Sequence, residues 1–177
     1  MGAHVSAVPN HQVGRVVSLT MRAAVAFFGV FGYELDSTAL SEEERLEIAD
    51  QVAFYKVHRD VLQYGRFHRL RSPFEGDGNV TAWMATSPDT RRAVVGHYQV
   101  LNHPEANGER LRLRGLDPAV TYRVSVWPAV SDRIAGANTG LRGGDELMSV
   151  GLDLGTTKED TARRGDFSAH LFVLEAL

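Results

Sequence analysis

The chain has 177 residues, 44% hydrophobic and 23% charged, with a formal charge of −3 and no cysteine. That length suffices for one large domain or slightly more, and the apolar share excludes a disordered chain. Weak acidity excludes a broad basic face for nucleic acid, and zero cysteines exclude disulfides, thiolate zinc sites and thiol nucleophiles. A cysteine-free chain suits a reducing, cytoplasmic setting, and no visible export signal opens it. No uninterrupted apolar run reaches about 18 residues, so no membrane span is expected.

Gly2 to Pro9 reads as a short strand, followed by a loop over Asn10 to Arg15. From Met21 the string MRAAVAFFGVFGYELD is almost continuously apolar, with Gly29 and Gly32 spaced for close backbone contact. It predicts a segment buried on most sides. Ser41 followed by Glu44 has the form of a capping box, and Glu42 to Glu44 complement the positive end of a helix dipole. Leu46, Ala49, Val52, Ala53, Val57, Val61 and Tyr64 then mark an apolar helix face, and Gly65 a left-handed stop. The helix runs from Glu42 to Tyr64, about 34 Å long.

Beyond Gly65 the period becomes two. Successive strands are predicted around Val80 to Ala85, Arg92 to Leu101, Arg110 to Arg114, Tyr122 to Val126, Met148 to Leu154 and Phe167 to Val173. Turn sequences at Glu75-Gly76-Asp77-Gly78, Ser87-Pro88-Asp89, Asn107-Gly108, Asp117-Pro118 and Gly143-Gly144-Asp145 separate them. The pattern is that of an antiparallel sandwich. Ser131 to Gly144 reads as a longer loop, and Gly155 to Asp166 as a polar one.

The first third, with one strand, one apolar segment and one helix, does not close a core. A lone strand leaves its backbone groups unpaired, and Ala23 to Phe31 needs an apolar surface to lie against. Part of the fold is therefore expected to come from outside the chain.

The strings MGAHVSAVPNHQVGR, RAAVAFFGVFGYELD and QVAFYKVHRDVLQYGRFHRLRSPF resemble the C-terminal region of α-galactosidases of glycoside hydrolase family 36, and LRLRGLDPAVTYRV fits the same family's C-terminal domain. The resemblance implies an α+β fragment. Residues 1–64 would hold one strand and helices left from a (β/α)8 barrel, and residues 65–177 an antiparallel β-sandwich. It also implies retaining hydrolysis of terminal α-galactose from raffinose- or melibiose-type sugars. That chemistry takes two carboxyl groups about 5 Å apart, one attacking the sugar and one protonating the leaving oxygen. The family's lysine-tryptophan-aspartate nucleophile motif and its serine-aspartate-rich acid/base motif do not occur in this sequence. No catalytic residue carries over, and the chain is expected to be inactive alone. Met1 coincides with a methionine common at this point of the family, so the chain reads as a truncation, an expressed subdomain or an internal start. Expected partners are the missing barrel portion or a partner subunit, α-galactoside sugars, and a second copy of the chain; no nucleic acid, membrane or cofactor is expected.

If Gly2 to Pro9 is a barrel strand, Ser6, Asn10 and His11 fall near its C-terminal end, where such barrels place their active sites. They are the candidate substrate-binding residues, with a loop-bracing role as the plainer reading. Arg15 is expected to anchor the loop by an ion pair. Among the seven histidines, His4, His11, His58, His68, His97, His103 and His170, no metal-ligand spacing occurs. Glu34 and Asp36 read as structural or solvated, and Asp145 and Glu146 as turn-shaping. Trp83 and Trp127 suit core or interface positions more than sugar stacking. Arg110, Arg112 and Arg114 form a wet strand face, and Gly136 to Gly140 lacks the context of a phosphate loop. A non-catalytic carbohydrate-binding or structural, oligomerising module is the alternative.

Overall fold

A computed structural model describes residues 2–102, 109–129, 133–155 and 165–177. His103, the Asn107-Gly108 turn, Ser131 and most of the Gly155 to Asp166 loop lie outside the described residues.

The opening third forms a β–α–β–α unit. Strand β1 (Gly2–Ser6) leads through helix α1 (Leu19–Ala26) to β2 (Val30–Glu34), and helix α2 (Glu42–Tyr64) follows. β1 and β2 pair in parallel, Val5 opposite Tyr33 and Ser6 opposite Glu34. The single strand expected from the sequence is thus two. The apolar run hides the second because it divides at Phe27 to Gly29, where helix gives way to strand.

The capping box of α2 is present. The Ser41 hydroxyl accepts from Glu44 N at 3.1 Å, and the Glu44 carboxylate accepts from Ser41 N at 2.9 Å. Of the expected apolar face only Val61 is buried. Leu46 and Val57 are 67% and 62% exposed, while Gln51, Phe54, Val61 and Leu62 are buried. The helix carries two apolar stripes, and the one that packs runs through a glutamine. Gln51 is admitted because its amide is satisfied by Tyr33 and Glu47.

Gly65 is not left-handed; its φ of −70° and ψ of 166° are extended. Glycine is needed there for space, since a Cβ would stand 2.7 Å from the Thr86 carbonyl oxygen and closer still to that of Val61. At Gly32, by contrast, a Cβ would meet nothing within 4 Å, so no close backbone contact is made.

The chain then builds a six-stranded antiparallel sheet from β3 (Arg66–Arg71), β4 (Val80–Thr86), β5 (Arg92–Gln99), β7 (Thr121–Trp127), β8 (Gly140–Gly143) and β10 (Ser168–Ala176). The spatial order is β3-β4-β5-β10-β7-β8. A small second layer pairs β6 (Arg110–Leu111) with β9 (Leu152–Asp153), beside helices α3 (Arg133–Asn138) and α4 (Gly144–Ser149). Several expectations change here: of the Arg110 to Arg114 strand only Arg110–Leu111 is strand, and Arg66–Arg71 forms a strand that the alternation did not mark. The long loop before Gly144 contains α3 and edge strand β8, and the Met148 to Leu154 strand opens on the last two residues of α4 and leaves only two residues to β9. Short helical turns and alternating strands share apolar spacings over so few residues.

Both faces of the sheet are covered, so β5 and β10 read as nearly continuous apolar runs despite being antiparallel. On one face Val94, Tyr98, Trp127, Leu171 and Val173 pack against Val5, Ala23, Ala24, Phe27 and Phe54. On the other, Val95, Phe172 and Leu174 pack against Leu111, Leu113, Ile134, Leu147 and Leu152. Ala23 to Phe31 is therefore largely covered by the chain itself. Ala23, Ala24, Ala26 and Phe27 are buried, and only Val25 and Val30 stand exposed.

Candidate functional site

One face of the β1–β2 pair is committed to the core: Val5 is fully buried, and Phe31 and Tyr33 pack beside it. Alternation sends His4, Ser6 and Glu34 to the opposite face. There His4 Nε2 lies 2.6 Å from Glu34 Oε2, passing over Gly32, whose missing side chain leaves the space open.

Beyond Ser6 the chain turns on Asn10. Its side-chain oxygen accepts from Gln12 N at 3.0 Å and from Val13 N at 3.1 Å. Its own N–H donates to the Arg15 carbonyl at 2.9 Å, and its carbonyl accepts from Gly14 N at 2.7 Å. Gly14 sits at φ +64°, where a side chain would strain the backbone. Arg15 makes no ion pair among the described residues; its guanidinium lies over the Phe167 ring, 5.6 Å from the centroid. Phe167 is placed by the donation of its N–H to the Val100 carbonyl at 2.8 Å.

These elements enclose a cleft of about 530 Å³ whose wall includes His4, Ser6, Asn10, Arg15, Arg22 and Phe167. Of the three candidate residues, Ser6 and Asn10 come together at it, while His11 is exposed and outside its wall. Much of Asn10's hydrogen-bonding capacity is spent on its own loop, which is the bracing role. Burial lowers the Arg22 guanidinium from its usual value, and the charges of Glu44 and Glu47 pull it back up.

The other acidic candidates are engaged locally. Asp36 accepts from Thr38, whose hydroxyl and N–H hold its carboxyl below the usual range. Asp145 accepts from Glu146 N, and Glu146 pairs with Arg142. Trp127 is buried, and Trp83 packs on Tyr98 and Phe28, so both indoles belong to the core. Arg112 and Arg114 are exposed beside buried Leu111 and Leu113, and Arg110 pairs with Asp153. Gly136 to Asn138 lie within α3. The described residues hold no group of three His, Asp or Glu able to hold a metal ion, and no helix long and apolar enough to cross a membrane.

Sequence reasoning passed over the His4–Glu34 pair and Arg22. The pair depends on parallel pairing with β2, which the apolar run concealed. Arg22 stood as one of many arginines in a run read for its apolar residues.

A parallel βαβ unit is thus docked on an antiparallel sheet, with polar groups gathered at the ends of its strands. The model of the glycosyl hydrolase family 36 C-terminal domain matches residues 80–174, and the Melibiase model matches residues 1–65. The chain belongs to glycoside hydrolase family 36. It is 46% identical over its whole length to the α-galactosidase AgaA of Geobacillus stearothermophilus, and 38% identical over 150 residues to α-galactosidase 1 of Pediococcus pentosaceus. Those matches span 22% and 19% of the two relatives and 100% and 85% of this chain. Among solved structures, the whole chain superposes on 22% of the Lactobacillus brevis α-galactosidase, with a TM-score of 0.87 and 45% identity. A doubly substituted AgaA of G. stearothermophilus in complex with raffinose matches at a TM-score of 0.85 and 45% identity, again over the whole chain and 22% of that protein.

Proposed function

We propose that this chain acts as the C-terminal portion of a retaining α-galactosidase that releases terminal α-linked galactose from raffinose- or melibiose-type sugars. Residues 1–64 continue a (β/α)8 barrel whose other strands are the missing partner, residues 65–177 form the supporting β-sandwich domain, and the whole works in the cytoplasm. Ser6, Asn10 and His11 lie on the sugar side of that barrel. The relatives' α-galactosidase names and the raffinose-bound homologue support the substrate class.

The observation that carries this reading is the β1–β2 pair. It is parallel, its outer edges have no strand partner among the described residues, and one face carries His4, Ser6 and Glu34 without cover. Parallel sheets are stable with both faces covered and edges paired, as in a closed barrel. The exposed stripe of Leu46, Ala49, Ala53 and Val57 on α2 supports the same continuation, since barrel helices pack side by side.

Hydrolysis with retention needs a carboxyl pair that these 177 residues do not carry in the family's motifs, so the chain alone is inactive. The test is an aryl α-galactoside assay on the purified chain. Background hydrolysis is the expected result, and turnover at a glycosidase rate refutes the inactivity.

A further inference from the structure

Arg22 sits in the first turn of α1, yet its side chain reaches back across the loop that precedes the helix. Nη1 donates to the carbonyl of Ser6, the last residue of β1. Nε donates to the carbonyl of Val17 at 3.1 Å and to that of Ser18 at 3.3 Å. One planar group therefore holds the point where the loop leaves the strand and the point where it enters the helix. Between these points the described contacts within the loop are local: Asn10 gathers Gln12, Val13, Gly14 and Arg15 around itself. Among the described residues, no hydrogen bond from that turn reaches β1. The Arg15–Phe167 contact touches only the far flank.

We propose that Arg22 is the positioning residue of the cleft, closing residues 7–17 at their base so that Ser6 and Asn10 are presented together on one wall. Its charge alone does not do this. The two ends are gripped in different directions by different nitrogens of a rigid fork, which a single ammonium cannot imitate. The guanidinium carries its charge at any working pH, which strengthens each donation to a carbonyl. The bearing of this clamp on galactoside binding rests on the function proposed above; the ordering of the loop does not.

The span and the charge separate in two variants of the full 177-residue chain. Amide exchange is followed by NMR at Gln12, Val13 and Gly14, with Phe54 and Val61 of α2 as internal controls. Arg22→Met removes both charge and fork, and Arg22→Lys keeps only the charge. In both, exchange in the loop is expected to rise at least about tenfold, the scale of losing a hydrogen bond from a charged donor, while the α2 amides stay unchanged. Wild-type protection in Arg22→Lys would overturn the clamp, because charge would then suffice. Equal acceleration in loop and α2 would also overturn it, because Arg22 would then act on global stability. If Arg22→Met does not fold, Arg22→Lys alone decides between these outcomes. A raffinose titration of the wild-type loop amides is read separately: if raffinose never protects them, the sugar reading weakens while the clamp stands on the exchange data.

Discussion

The indole Nε1 of Trp127 donates to Asp50 Oδ2 at 2.8 Å, tying the end of β7 to the middle of α2 across the main apolar core. The same ring packs on Phe27 and Phe54, with centroids 5.1 and 4.8 Å away. One side chain thus fills the joint between the βαβα unit and the sheet and satisfies its only polar atom at the rim. Trp127→Phe is expected to remove the hydrogen bond and leave a small cavity, costing about 2–3 kcal/mol. Urea unfolding followed by circular dichroism measures it. Asp50→Asn, which keeps an acceptor, should cost under about 1 kcal/mol.

Near that joint lies a half-buried polar chain centred on buried Gln51. Tyr33 donates to Gln51 at 2.7 Å, Gln51 donates to Glu47 at 3.0 Å, and Thr20 donates to the same Glu47 oxygen at 2.6 Å. Burial, with the Glu47 charge second, pushes the Tyr33 phenol up to about 12. A raised folded value means that Tyr33 contributes fully below the ordinary tyrosine value near 10 and loses its contribution as pH climbs through about 12. Tyr33→Phe leaves the buried Gln51 acceptor unsatisfied and is expected to cost about 1–3 kcal/mol at neutral pH. Its stability difference from wild type should shrink above pH 10, and paired urea titrations across that range check the sign.

These contacts mark what the sequence disclosed and what it hid. The α2 helix was legible to the residue at its N-terminus, because a capping box is a local signal. Its buried face was not: the stripe of Leu46, Ala49, Ala53 and Val57 is more apolar by composition than one containing Gln51, and only the tertiary partner Tyr33 makes Gln51 a core residue. Four strands of the six-stranded sheet, β4, β5, β7 and β10, were visible through alternation and turn residues, while β3 and β8 were not. β2, α3 and β8 were hidden because they are short and lie in apolar or glycine-rich stretches where helix and strand periods overlap, and β9 was foreseen only as part of a longer strand. At the cleft, Ser6 and Asn10 were reached by placing them at a strand end. Arg22 acts across a 16-residue separation, and no local spacing announces such a contact.

On the opposite face of the sheet, Asp153 fastens the second layer. Its carboxylate takes both Arg133 nitrogens at 3.2 Å, lies 3.5 Å from Arg110 and accepts from Gly155 N at 3.0 Å. Burial pushes the Asp153 carboxyl up, but Arg133, Gly155 and Arg110 together outweigh it and hold the group below its usual value. A depressed folded value gives stability that is full above the unfolded value near 3.9 and lost as pH falls through the folded one. Asp153→Asn should therefore destabilise by about 1–2 kcal/mol at pH 7. The difference from wild type should fade as both proteins are acidified below about pH 4. Thermal melts from pH 7 to pH 3 measure this, and a gap that stays constant into acid would show that the ion pairs are not its source.

Gly65 joins α2 to β3, and its extended backbone is one that any residue can adopt. Conformational strain therefore predicts that Gly65→Ala is harmless or slightly stabilising, since alanine restricts the unfolded chain. Space predicts the opposite. The new methyl would meet the Thr86 carbonyl oxygen at 2.7 Å and the Val61 carbonyl more closely, and both are backbone atoms that cannot swing aside. Relief requires moving the end of α2 away from β4, which loosens Val61 and Leu62, both buried in the shared core. The expected cost is about 2–3 kcal/mol, within the range for overpacking. Gly14→Ala is the opposite case: open space around the Cβ but φ +64°, so strain alone acts and the expected cost is about 1 kcal/mol. Chemical denaturation of the two variants side by side separates crowding from strain, and Gly65→Ala at wild-type stability would show that the helix–sheet junction is slacker than the Val61 and Thr86 contacts imply.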